Sequence, residues 1–293
     1  MGFKSRVKTL FFPGIAVKEQ TKVLREIKKD LKRQNRLASS ILRAQTTELM
    51  DDVMDWHNKH QLDEIQTLKT IKSERISFAR FGDGELRMMQ SRTTSFGFQT
   101  NSSELQQALL EIIDHAKQAP DALLVGINPP LQTDFWIGVY ALTWNRTKQT
   151  LHGLDRVGSS FVSRDLVFRQ YPEQALKLWR DIWHGLKVTF VTGEGSRFEL
   201  EPNLFDNLGS HNLVLSKPVQ AFEDLDRLTE VLSKDDSDLI LIALGPTGTI
   251  LTSRLAKMGK WALDIGHLPN SYREVFDGGK VPEKLPRIKK DND

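Results

Sequence analysis

The sequence predicts an α/β fold: a Rossmann-like, doubly wound, mostly parallel sheet preceded by a long N-terminal helical extension. Three observations lead there. Short, nearly continuous apolar runs recur between residues 76 and 265, as strands buried on both faces require. Helix-like stretches separate those runs, which is the alternation of parallel βαβ winding. Ahead of them, Val17 to about Trp56 contains neither Gly nor Pro and reads as one long helix.

That helix keeps a loose helical spacing of apolar residues through Leu24, Ile27, Leu31, Leu37, Ile41 and Leu42. The expected strands are 76–81, 122–126, 187–192, 212–216, 238–244 and 262–265, with helices at 102–118, 131–148, 172–185, 221–234 and 248–259. The domain layout that follows is a basic helical extension over 1–59, the α/β domain over 60–280 and a flexible Pro- and Lys-rich tail over 281–293.

Charge is unevenly distributed. Residues 1–36 hold eleven Lys and Arg against three acids, a net +8, so the other 257 residues carry −5 of the total +3. A basic arm on a mildly acidic body calls for an anionic partner, such as a membrane surface contacted through residues 1–36. The apolar tip Leu10-Phe11-Phe12-Pro13-Gly14-Ile15 suits interfacial insertion beside such charge. The alternative is an amphipathic helix packed on the body or on a partner helix, with its charges merely solvated. The chain has no cysteine, which excludes disulfides, zinc–thiolate sites, iron–sulfur clusters and thiol nucleophiles. No apolar run approaches the ~20 residues of a membrane span, and the Leu10–Pro13 run is short for a secretory leader. The expected location is cytoplasmic, with peripheral attachment to the inner face of the membrane if the arm binds lipid.

The candidate chemistry lies where strands end. Ile76-Ser-Phe-Ala-Arg80-Phe-Gly82-Asp83-Gly-Glu85 reads as a strand running into an acidic, Gly-flanked turn. Asp83 and Glu85 offer hard oxygen ligands to Mg²⁺ or Mn²⁺, which neutralises substrate phosphates, although a plain solvated turn uses the same residues. After the 238–244 run, Gly245-Pro246-Thr247-Gly248-Thr249 suits a phosphate held on backbone N–H groups at a helix start, or a tight βα turn with a Thr cap. Gly193, Glu194, Gly195 and Arg197 form a second Gly-rich turn whose Arg could reach a phosphate. Gly158-Ser-Ser160-Phe-Val-Ser163-Arg164 clusters hydroxyls before an Arg, as a sugar or pyrophosphate would use. His267, after Leu263-Asp264-Ile-Gly266, could donate to a phosphate, bind the same metal as Asp83, or make a structural hydrogen bond.

Together these residues resemble a bacterial family of GT-D-fold glycosyltransferases, formerly a domain of unknown function. The resemblance rests on Arg80-Phe-Gly-Asp83-Gly-Glu85, Gly158–Arg164, Gly193-Glu194, Leu244–Thr249, and Lys257-Met-Gly259 followed by Ala262–His267. It spans roughly residues 60–275. It implies a GT-D-type Rossmann-like fold and a metal-dependent Asp-x-Glu site using Mn²⁺ or Mg²⁺. It also implies transfer of a hexose, most simply glucose, from a UDP-sugar to a glycan, glycoprotein or lipid-linked acceptor in surface-glycan assembly. By position, Asp83 and Glu85 become the catalytic pair and, with His267, the metal ligands. Arg80, Gly82, Ser160, Arg164, Gly193, Glu194 and Gly245 to Thr249 become donor contacts. The chain departs from the family pattern after His267, where Leu268-Pro269-Asn270-Ser271 stands in place of acidic and aromatic residues.

Two other classes compete with the enzyme. One is a non-catalytic nucleotide-binding or scaffolding subunit that uses the long helix to associate, including as a homodimer. The other is a nucleic-acid binder, which the acidic body and the absence of a base-reading motif disfavour, so no nucleic-acid partner is expected.

Overall fold

The computed structural model describes residues 13–286 apart from Arg92. The apolar tip up to Phe12 and the tail from Arg287 therefore lie outside the described residues. Seven strands form one sheet: β1 (Ser77–Arg80), β2 (Leu123–Ile127), β3 (Gly158–Ser159), β4 (Lys187–Gly193), β5 (Ser210–Ser216), β6 (Leu239–Ala243) and β7 (Ala262–Asp264). Their order is β3-β2-β1-β7-β6-β4-β5, and every pairing is parallel. All six expected strands are present. The seventh, β3, is a two-residue strand inside the Gly158–Arg164 cluster and pairs only with β2.

Side chains alternate across the sheet and both faces are buried. Leu123, Val125 and Ile127 face one core and Leu124 the other; Ile240 and Ile242 oppose Leu239 and Leu241 in the same way. The first face is covered by α3 (Asp83–Gln90), α4 (Ser103–Gln118), α5 (Asp134–Leu151), α9 (Leu225–Ser233) and α10 (Pro246–Lys257). The second is covered by α2 (Glu64–Glu74), α6 (Asp165–Gln170), α7 (Pro172–Trp183), α8 (Pro202–Phe205) and α11 (Leu268–Phe276). Helices on both faces make the sheet doubly wound: the chain runs from β1 out to β3, crosses to β4 and β5 at the other edge, and returns inward through β6 to β7.

The N-terminal helix α1 runs from Pro13 to His60. Its last third packs into the first core through Met50, Val53 and Trp56, and Arg43 pairs with Asp134 at 2.7 Å. The helix ends at His60, beside the boundary expected at residue 59, and its last third belongs to the core of the α/β body. Further toward the N-terminus the helix stands clear of the body, with Leu24, Ile27, Leu31 and Ile41 exposed.

At the other end, Pro282–Lys284 form a 3₁₀ turn with Pro282 buried. The flexible tail expected from residue 281 is therefore packed as far as this turn, because Arg164 pairs with Glu283 and Arg197 donates to the Pro282 carbonyl.

Candidate active site

A cleft of about 730 Å³ opens over the carboxyl ends of the central strands. The connections after β1 and β6 lead to helices on the first face and the one after β7 leads to a helix on the second, and doubly wound sheets bind ligands where neighbouring connections part to opposite faces. The residues that β1 leads into (Gly82, Asp83, Gly84, Glu85), those after β6 (Leu244, Gly245, Pro246) and those after β7 (Gly266, His267) all line it. The N-termini of α3, α10 and α11 follow these three loops directly. Their unsatisfied N–H groups and dipoles favour an anion in the cleft.

Arg80 is the fixed cation at the base. Its Nη1 donates to the Ser160 carbonyl at 3.0 Å and to Ser163 Oγ at 2.9 Å, while Nε lies 3.9 Å from Asp264 Oδ1. Burial works against its charge, and the Asp264 carboxylate works for it. Asp264 is itself buried, and desolvation raises its pKa despite Arg80 and its hydrogen bonds. Its carboxylate accepts from Gly266 N at 3.0 Å, and Thr249 Oγ1 lies 3.0 Å from both Asp264 Oδ2 and the Arg80 carbonyl. This knot joins β1, β7 and α10 beneath the cleft. Gly266 completes it: φ is +48°, and a Cβ there would sit 2.3 Å from Arg80 Nη2.

The Asp-x-Glu pair is not a turn but the first turn of α3. Gly82 is the extended N-cap, and Glu85 at the third helical position accepts from Gly82 N–H at 2.8 Å. That one-sided cap, in which Glu85 reaches back to the N-cap N–H and glycine offers no side chain in return, helps the sequence enter a helix here. Glu85 pays for its position: desolvation pushes its carboxyl up to about 7, and Asp264 adds to the rise while Arg80 opposes it. Asp83, beside it, also lines the cleft.

The other expected residues divide cleanly. Ser160, Arg164, Gly193, Gly245, Pro246 and His267 line the cleft. Glu194 does not: it is exposed, just past the end of β4. Thr247, Gly248 and Thr249 are buried below the cleft, because they lie in the first turn of α10 with their side chains turned into the core. The expected phosphate loop therefore contributes Gly245 and Pro246, and Thr249 is a structural tie. His267 has its pKa pulled down to about 3, first by burial and then by Arg164, Arg197 and Arg80, so it is neutral. Among the described residues no three His, Asp or Glu side chains stand together as a metal-holding group. The set Asp83, Glu85 and His267 is thus not assembled: Glu85 is drawn back onto the Gly82 N–H, and His267 sits among arginines.

Sequence reasoning missed several lining residues. Asn128 follows β2 directly, and its carboxamide oxygen accepts from Ser160 Oγ at 2.8 Å. It is 2% exposed, and its Nδ2 has no partner. The signal was available, since it is a polar residue at a strand's carboxyl end like the others. Phe96, Phe98, Phe135, Trp136 and Phe161 supply aromatic walls. Trp136 meets Phe161 edge-on at 5.6 Å, and Phe96 stacks with Phe98 at 6.0 Å. Gly245, at φ +55°, lets Phe98 close against the backbone where a Cβ would lie 3.0 Å from the ring.

A cation-bearing cleft over the carboxyl ends of a parallel sheet, with acids and aromatic rings in its walls, has the chemistry to suit an anionic, ring-bearing ligand. The family follows from comparison with known proteins. A family model described as glycosyltransferase GT-D fold matches residues 78–290, and the chain belongs to that family. Glycosyltransferase GlyD of Streptococcus pneumoniae serotype 4 is 26% identical over 263 residues, covering 85% of this chain and 31% of the relative. Probable glycosyl transferase Gly of Streptococcus gordonii is 26% identical over 232 residues, covering 75% and 33%. The chain thus spans about a third of the length of these curated relatives. Among solved structures, a selenomethionine-substituted domain of unknown function 1792 is similar with a TM-score of 0.71 at 26% identity, over 84% of this chain and 91% of that one. A second, described as having a distinct glycosyltransferase fold, gives 0.70 at 25% identity over 83% and 91%.

Proposed function

We propose that this chain transfers a hexose from a UDP-sugar to a glycan, glycoprotein or lipid-linked acceptor, with the reaction centred on Asp83 and Glu85. The observation that carries the reading is the convergence of three helix N-termini and the Arg80 and Arg164 guanidiniums on one cleft that also holds this acid pair. Breaking a glycosyl–phosphate bond leaves negative charge on the departing diphosphate, and donors fixed before the reaction stabilise that charge at least cost. Arg80 is held by Ser160 and Ser163, so it needs no reorganisation as charge develops. The aromatic walls suit the flat uracil ring.

The two acids divide the work. Asp83, which lines the cleft, fits a hard cation that takes one or two protein carboxylates and completes its shell from phosphate and water. A Mg²⁺ or Mn²⁺ bound there supplies charge neutralisation to the leaving diphosphate. Glu85, with its carboxyl near 7, is poised to accept the acceptor hydroxyl's proton at neutral pH. His267, neutral and beside Arg164, donates a hydrogen bond rather than charge.

The test is UDP release from a panel of UDP-sugars, with and without Mn²⁺, for wild type and Asp83→Ala. Metal-dependent release from one donor, abolished in a folded Asp83→Ala protein, is the expected result. UDP binding without turnover, even with candidate acceptors present, would instead favour a non-catalytic subunit. No helix among the described residues is long and apolar enough to cross a membrane. Attachment through the basic residues 1–36 is tested by loss of anionic-vesicle binding when they are deleted.

A further inference from the structure

We propose that the free part of α1 pairs with the same segment of a second copy of this chain as a parallel, in-register, two-stranded coiled coil. The segment lies outside the residues that match the family model, and nothing in the catalytic reading requires it. From Val17 to Ile41 it extends about 36 Å at the 1.5 Å rise of a helix. Its apolar residues repeat every three and four positions. Val17, Leu24, Leu31 and Ala38 fall at a; Ile27 and Ile41 fall at d, with Gln20 and Gln34 at the remaining d positions. Val17 is 58% exposed, Leu24 65% and Leu31 53%. Three and a half heptads of this kind are long enough to form a coiled coil.

Three further features point to a second copy as the occupant. The first is charge. Every Lys and Arg from Lys18 to Arg36 except Lys28 falls at b, c or f, away from a partner, as do Glu19 and Glu26. The segment's excess of positive charge therefore does not face itself across the seam. The positions flanking the seam in a parallel pair set Val23 against Lys28, Asp30 against Asn35 and Leu37 against Leu42, with no like charges opposed.

The second is polar matching. In a parallel, in-register pair Gln20 meets Gln20 and Gln34 meets Gln34, so each amide finds an amide. The antiparallel register that pairs Val17 with Ile41 sets Gln34 against Leu24 and Gln20 against Ala38, burying both amides on apolar side chains.

The third is where the pattern stops. Continued past Ile41, the same frame puts Gln45, Glu48, Asp52 and Asp55 at a and d, so the apolar seam ends where the helix reaches the body. In that frame the residues that hold α1 to the body lie on the outer side, Thr46 and Val53 at b and Met50 and His57 at f, and on one margin of the seam, Leu42, Leu49 and Trp56 at e. A partner on the seam therefore clears the chain's own domain from Val17 to Gln34 and meets its edge beside Asp134 only at Ala38 and Leu42. A membrane surface is a weaker match, since interfacial helices use a broad apolar face with aromatic residues, and residues 17–41 contain no aromatic residue.

The test uses the full chain, which has no native cysteine. Sedimentation equilibrium of wild type is expected to give twice the 33.4 kDa of one chain. The Leu24→Glu, Leu31→Glu double variant is expected to sediment as a monomer with unchanged circular dichroism and donor hydrolysis. A Gln34→Cys chain treated with a short bis-maleimide is expected to cross-link to itself. A monomeric wild type, with or without binding to phosphatidylserine vesicles, overturns the proposal. So does a double variant that stays dimeric. Cross-linking only in a mixture of Leu24→Cys and Gln34→Cys chains, with neither joining to itself, overturns the parallel register.

Discussion

Replacing Gly266 with alanine tests the knot beneath the cleft. Gly266 sits at φ +48°, where an L-residue costs about 1–2 kcal/mol. The new methyl would lie 2.3 Å from Arg80 Nη2 and 2.7 Å from Cζ, so the guanidinium must leave its socket. Leaving it breaks the bonds to the Ser160 carbonyl and Ser163 Oγ, and hydrogen bonds from a charged donor contribute about 1.5–3 kcal/mol each. With partial relaxation, Gly266→Ala should cost about 3–6 kcal/mol. In an Arg80→Ala background the methyl meets no guanidinium, and only the backbone strain of about 1–2 kcal/mol remains. The assay is a double-mutant cycle by urea unfolding, followed by circular dichroism, with an expected coupling of about 2–4 kcal/mol. Costs that add to within about 0.5 kcal/mol would mean that Gly266 and Arg80 are not coupled, and the reasoning fails.

Glu85 makes the stability depend on pH. Its folded pKa of about 7 exceeds the ordinary 4.5, so the protonated form is favoured by folding. That stability is fully present below pH 4.5 and is lost as pH rises through 7. In chelator-containing buffer Glu85→Gln should therefore match wild type at pH 4.5 and exceed it by up to about 3 kcal/mol at pH 8; equal stabilities at both values would refute the burial argument. In the transfer reaction the wild-type rate should rise with pH through about 7, and Glu85→Gln should lose both the rate and that limb. Asn128→Ala removes the unpartnered Nδ2 and strands the Ser160 Oγ that donates to Oδ1; it should lower kcat/KM for the donor by about tenfold, a loss expected of one ligand hydrogen bond, alongside a stability cost of about 1–3 kcal/mol. An unchanged kcat/KM would show that this amide does not reach the ligand.

The strands were legible because a parallel sheet covered on both faces writes each one as an unbroken apolar run, and six runs became six strands. β3 escaped because two residues, Gly158 and Ser159, carry no such pattern, and its existence depends on pairing with β2. Arg80, Asp83, Glu85, Gly245 and His267 were legible as cleft residues for one topological reason: parallel strands put their carboxyl ends on the same side. What that rule cannot supply is the direction of each side chain once a helix begins. Thr249 is four residues past Gly245, and one helical turn is enough to point it into the core. The same turn makes Glu85 cap its own helix instead of projecting freely beside Asp83. Glu283 lay in a segment read as a flexible tail, because nothing local announces that it will meet Arg164, 119 residues earlier.

The strand order also has a consequence for how the protein is made. β7 lies between β1 and β6, and Phe78 pairs with Leu263. As the chain leaves the ribosome, β1 to β3 and β4 to β6 form two separate half-sheets, each with an open edge that belongs in the middle of the finished sheet. At about 5–20 residues per second, the β1 edge waits roughly 10–40 s for the strand that joins the halves, and the β6 edge roughly 1–4 s. Contacts so distant in sequence are slow to form and leave exposed edges open to other chains in the interval. Arg80 is synthesised early but meets Asp264 only when that last strand docks, so an incomplete chain carries no assembled cleft. The protein becomes able to bind its ligand at nearly the same moment that it becomes safe from aggregation.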